Sequence, residues 1–161
     1  MLDAIQQLNP YLAVSITAMM PVVELRGSVP LGILVYGMNP LFVIALSVVA
    51  IMIPIVMWFF FLQYAVAGIR TWHPKIDHFF EWLFQRTRLR HNDKFERWGS
   101  LALVFFVAIP LPMTGAWTGT LLAYLFGIKI LRSMAFIAVG LLITGVIMAV
   151  ISLGGVHILG L

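Results

Sequence analysis

The chain has 161 residues, of which 62% are hydrophobic and only 10% charged, with a net charge of +4. Soluble domains carry about 25% charged residues, so this sequence lacks the polar surface that water requires and reads as a single all-α integral membrane domain. The lack of cysteine excludes disulfides, thiolate metal sites and cysteine nucleophiles, and the basic residues are too clustered along the chain to suggest a nucleic-acid partner.

No Lys or Arg precedes the first apolar stretch, so the N-terminus does not read as a secretory signal. Leu2, Ile5 and Leu8, with Asp3, Gln6 and Gln7 between them, fit a short helix on the membrane surface or a frayed start.

The first apolar stretch, 11–37, is interrupted by Pro21-Val-Val-Glu24-Leu-Arg26-Gly27-Ser28-Val-Pro30. Proline removes a backbone donor and clashes with the preceding turn, so an unwound, proline-flanked segment is expected here. About ten residues remain on each side, roughly 15 Å of helix, which is half a bilayer. The stretch is either one kinked span or a re-entrant pair of half-helices. Residues 41–66 carry no charge and are long enough to cross a hydrocarbon core of roughly 30 Å, with a kink expected at Pro54.

Residues 67–98 hold Arg70, Lys75, Arg86, Arg88, Arg90, Lys94 and Arg97, which the positive-inside rule places in the cytoplasm. Within them, Ile76, Phe79, Phe80, Leu83 and Phe84 follow helical spacing and lead into Arg86, Arg88 and Arg90. This predicts an amphipathic helix on an anionic leaflet, or else a solvated connector.

The next stretch, 101–127, is broken by Pro110-Leu-Pro112-Met-Thr114-Gly115-Ala-Trp117-Thr118-Gly119 and followed by Lys129 and Arg132. A hairpin places both basic flanks on one side, whereas a single crossing would separate them. Residues 134–153 form a second full span, with Gly140 and Gly145 expected at helix contacts. The expected plan is therefore a first repeat (1–66), a connector (67–98) and a second repeat (99–161), each repeat a re-entrant hairpin followed by a full span. A shift of 90 aligns Gly37 with Gly127, Ser28 with Thr118 and Tyr36 with Phe126. Entry from opposite sides would make this an inverted-topology repeat.

Glu24 and Arg26 are the only charges within an apolar stretch. Each costs about 2.5–3.5 kcal/mol at a helix centre, which points to a purpose: Glu24 as proton carrier and Arg26 as partner for an anionic group, or the two as a structural ion pair. Thr114 and Thr118, in the glycine-rich second break, complete the expected substrate or proton pathway. Pro21, Gly27, Pro30, Pro110, Pro112, Gly115 and Gly119 are expected to shape the two breaks. Ser28 and Thr118 are placed to cap the returning half-helices, and Trp117 reads as packing or an interface anchor. His73, His78, His91 and His157 lack metal-ligand spacing, and neither a hydrolytic triad nor a P-loop is present, so no metal, cofactor or catalytic set is expected.

At these two breaks the sequence resembles a bacterial family of small multidrug export proteins, distantly related to the DedA superfamily. The likeness covers nearly the whole chain and departs from the family at Met113, where glycine is expected. The resemblance implies two re-entrant hairpins meeting at midplane and a role in membrane transport. DedA relatives are linked to proton-dependent functions and to carrying undecaprenyl phosphate. Their acidic residue of the first hairpin would correspond to Glu24, whereas their second-half arginines have no counterpart between Pro110 and Gly119.

The combined expectation is a small secondary transporter in a bacterial or archaeal plasma membrane, proton coupling included, acting on an unidentified small-molecule or lipid substrate with anionic character. Its partners would be membrane lipids and a second copy of the chain, with no nucleic acid. A lipid-phosphate enzyme and a structural, lipid-organising subunit stand as alternatives.

Overall fold

The computed structural model describes residues 9–71, 78, 81, 93–110 and 114–159. The surface-helix pattern at 2–8, Pro112, and the amphipathic pattern at 76–90 except His78 and Glu81 lie outside the described residues.

Among the described residues every regular element is helical. Helix α1 (Pro10–Met19) opens on Asn9, whose side chain accepts the Tyr11 N–H at 3.0 Å, with Pro10 in the first turn where its missing N–H costs nothing. It ends at Met20, which is extended (ψ 129°). The chain re-enters helix as α2 (Glu24–Pro30), continues as a π-helical turn (Leu31–Val35), and leads into α3 (Pro40–Arg70). Asn39 and Pro40 start α3 as Asn9 and Pro10 start α1, with Asn39 accepting the Leu41 N–H at 2.9 Å. The second half contains α4 (Asp93–Ala108), α5 (Ala116–Leu125) and α6 (Ile130–Leu159).

Pro40–Ile69 and Ile130–Gly155, of 30 and 26 residues, are long and apolar enough to cross a membrane. They contain the spans expected at 41–66 and 134–153. Along α3, Val49, Ile53, Met57, Phe61 and Tyr64 are exposed on one stripe. A water-soluble monomer rarely presents so long an apolar face; lipid solvates it without cost.

Two expectations about the first stretch need correction. It is unwound only between α1 and Glu24, and Pro30 does not break the helix. Pro30 lacks the N–H that would reach Arg26 O, and its ring crowds that carbonyl. The helix widens instead into the π turn Leu31–Val35, whose last i to i−5 bond runs from Tyr36 N–H to Leu31 O at 3.3 Å, and beyond Gly37 the Met38 N–H closes the end on Gly32 O at 2.9 Å.

After the break, α2 runs back along α1. A Cβ on Gly27 would lie 3.5 Å from Thr17, and one on Gly32 would lie 3.3 Å from Val14, so later residues of one helix meet earlier residues of the other. In the second half, a Cβ on Gly119 of α5 would lie 2.8 Å from Val107 and 3.5 Å from Leu103 of α4. Both returning segments close alike under the shift of 90. Tyr36 and Phe126 cap them, Gly37 (φ +62°) and Gly127 (φ +67°) follow in the left-handed region, and α3 and α6 begin at 40 and 130. Glycine is the residue that reaches this C-terminal conformation without strain.

Helix α6 packs on α4, α3 and α2. Gly140 and Gly145 make that possible, as the sequence led us to expect. A Cβ on Gly140 would lie 2.7 Å from the Val107 Cβ, and one on Gly145 would lie 2.8 Å from Ile44 and 3.3 Å from Leu25. Thr144 adds a polar tie by donating to Val107 O at 2.8 Å.

Candidate functional site where the two breaks meet

The edges of the two breaks are in contact, and each charged side chain of the first is used on the second. Glu24, only 5% exposed, is the first residue of α2 and stands at φ +47°. The left-handed region is costly for a residue with a Cβ; here it turns the carboxylate out of the α2 axis and towards α5. The carboxylate accepts the backbone N–H groups of Trp117 and Ala116, two of the donors that a helix start leaves without intrahelical partners. An acidic group at this position also complements the helix dipole, worth about 0.3–1 kcal/mol and up to about 2 when partly buried.

Gly115, the residue before α5, has φ +142° and ψ −170°, a region reached essentially by glycine alone. A Cβ there would overlap both carboxylate oxygens of Glu24. Backbone shape and close approach therefore demand glycine for separate reasons.

Arg26 donates through Nη2 to the Thr114 carbonyl and, at 3.2 Å, to the Thr114 hydroxyl. That hydroxyl in turn donates to Ile109 O at 2.9 Å, so the guanidinium is tied to the C-terminal end of α4 through one threonine. Glu24 and Arg26, two residues apart on α2, both reach 114–117 because the left-handed turn at Glu24 separates its side-chain direction from the helical one. Under the shift of 90, Glu24 and Thr114 are equivalent positions, each at the edge of its own break.

The structure thus brings Glu24, Arg26 and Thr114 together, with Gly115 between them. Thr118 is one residue beyond this contact, in the first turn of α5, and is not its cap; the cap position is Gly115, and Glu24 supplies the acceptor from another element. Ser28 is not a cap either. It is fully buried in the middle of α2 and donates to the Ser47 hydroxyl of α3 at 2.9 Å. Local spacing suggested capping for both because a hydroxyl near a helix start commonly serves that way, whereas the acceptor actually used is distant in sequence. Of the other break-shaping residues, Pro21 lies in the turn before Glu24 and Pro110 just after α4.

Trp58 had no place in the sequence reasoning. Its ring lies 5.7 Å from that of Trp117 and is stacked on Phe61 at 5.3 Å. The i, i+3 spacing of Trp58 and Phe61 on an apolar span was a visible signal, although nothing linked it to the second break. Two buried nitrogens, Nε of Arg26 and Nε1 of Trp117, have no hydrogen-bond partner among the described residues. No cluster of three His, Cys, Asp or Glu side chains among the described residues could hold a metal ion.

Residues 24–147 match the family described as "Putative small multi-drug export protein", and the chain belongs to that family. The matched region begins at Glu24 and includes the whole second break. The description implies a transporter rather than an enzyme, and together with the two candidate spans it supports a membrane location. No curated protein and no solved structure matches the chain.

Proposed function

We propose that this member of the small multi-drug export family is a secondary transporter of the bacterial or archaeal plasma membrane, with its site where the two breaks meet near midplane. In this reading each fold-back unit is re-entrant, the first from outside and the second from the cytoplasm, which makes the halves an inverted-topology repeat. Helices α1 and α5, of ten residues each, are about 15 Å long, half the hydrocarbon thickness. The basic residues of 70–97 and those at Lys129 and Arg132 then face the same side.

The observation that carries the reading is the paired grip of Glu24 on the start of α5 and of Arg26 on Thr114. An ionised Glu24 accepts two N–H groups and complements the helix dipole. A protonated one loses the charge and part of its acceptor capacity, so proton uptake loosens the link between the halves and release restores it. That couples a proton to the contact that must open for a substrate to pass. Arg26 supplies the positive charge for an anionic substrate.

Proteoliposomes with an imposed pH gradient test this. Organic anions offered as a panel should include at least one that is accumulated by the wild-type protein, and Glu24→Gln should abolish the gradient-driven part. Accumulation that is independent of the gradient sinks proton coupling; no accumulation of any compound sinks the transporter reading.

A further inference from the structure

Arg26 Nε–H and Trp117 Nε1–H are both donors, both shielded from solvent and both without an acceptor among the described residues. Buried donors are rarely left unpaired. Arg26 is bonded to Thr114, and Trp117 lies three residues further on, in the first turn of α5. Glu24 does not relieve them: its carboxylate is engaged with the backbone N–H groups of α5. Among the described residues neither donor has an acceptor, and a guanidinium with an indole N–H favours an oxyanion over a neutral carbonyl.

The surroundings indicate what that oxyanion is attached to. Trp117 packs on Trp58, and Trp58 is stacked on Phe61, which is 58% exposed. Phe61 lies on the same α3 stripe as Met57 and Tyr64, the stripe that lipid covers. An aromatic wall therefore runs from the orphan donors to the hydrocarbon.

We propose that the substrate is a lipophilic organic anion that enters sideways from the bilayer, its oxyanion taking the Arg26 Nε–H and the Trp117 Nε1–H and its apolar body lying on Trp58 and Phe61. This deepens the transporter reading and rests on it for the word substrate; the binding site itself does not require transport.

The test is equilibrium binding to the full chain in phosphatidylcholine nanodiscs. The probe is 1-pyrenebutyrate, followed by pyrene anisotropy and corrected with empty discs. Saturable binding is expected, displaced by dodecanoate but not by dodecyltrimethylammonium, which has the same chain with a cationic head. Butyrate, the same head without a body, should not displace it. Trp117→Phe keeps a ring and loses the N–H; Arg26→Lys keeps the charge and loses Nε. Each should weaken binding about tenfold, the equivalent of one charge-assisted hydrogen bond. Equal displacement by the cation overturns the anion assignment, and displacement by butyrate overturns entry from the bilayer. Unaltered affinity in both variants overturns the donor pair. A variant that fails to fold leaves the wild-type comparison of heads and chains decisive. Anion binding without counterflow in liposomes would sink the transporter reading and spare the site, whereas counterflow of a cation with no anion binding would do the reverse.

Discussion

The Glu24 carboxylate occupies the space where a Cβ of Gly115 would stand. The buried acid and the glycine are therefore one device: the glycine opens the approach to the start of α5, and the acid fills it with the acceptor that the helix needs.

Gly115→Ala should be among the most damaging small substitutions in the chain. The backbone at φ +142° costs a non-glycine residue about 1–3 kcal/mol, and the methyl group displaces Glu24 as well. The melting temperature in detergent should fall markedly. Adding Glu24→Ala removes the overlap but not the backbone strain, so recovery should be partial. An unchanged melting temperature in the single variant would show that α5 does not start in this way.

Glu24→Gln places an amide NH2 where two backbone N–H groups seek an acceptor, and should cost about 1–3 kcal/mol. Arg26→Gln removes the donor to Thr114 and should cost a similar amount. Each charge has its own partners on the second break and the two also attract one another, so the double variant should lose somewhat less than the sum. Thermal unfolding of the three proteins decides between two accounts: near-complete recovery in the double variant would identify a mutual Glu24–Arg26 ion pair as the main bond.

Ser28 and Ser47 bond each other inside the protein. Each single change to Ala should cost about 1 kcal/mol or more by stranding the other hydroxyl, while the double change should come closer to neutral. If Ser28→Ala alone were costly and Ser47→Ala silent, the hydroxyl pair would not be what Ser28 is for.

At Gly140 the close contact is with the Val107 Cβ itself, at 2.7 Å, and with Val104 O at 3.1 Å. Gly140→Ala should cost about 1–3 kcal/mol through overpacking. Val107→Ala should not rescue it, because alanine keeps the atom that collides. Rescue would mean that α4 and α6 meet through the outer part of the valine instead.

The chain has no cysteine, so single introduced cysteines report cleanly on topology. Arg88→Cys and Lys129→Cys should both be labelled by an impermeant maleimide from the cytoplasmic side only. Labelling from opposite sides would make 101–127 a true crossing and remove the re-entrant reading.

Much was legible in the sequence because it depends on composition and on local backbone chemistry. The charge-poor segments gave the two long helices, since apolar length is all that crossing requires. Pro21 and Pro110 marked where helices stop, because a missing N–H is a property of the residue itself. Gly37 and Gly127 fell at matching ends, since only glycine takes the left-handed turn freely, and Glu24 and Arg26 stood out because buried charge is expensive. Tertiary structure decided what these features are used for. Pro30 could remain helical because a wider turn follows it. Ser28 and Thr118 looked like caps by spacing alone, yet Ser28 found Ser47, 19 residues away, and α5 found its acceptor in Glu24. Trp58 joined the site only through its contact with Trp117. In each case the sequence shows which groups need a partner, and only the folding of one half against the other supplies it.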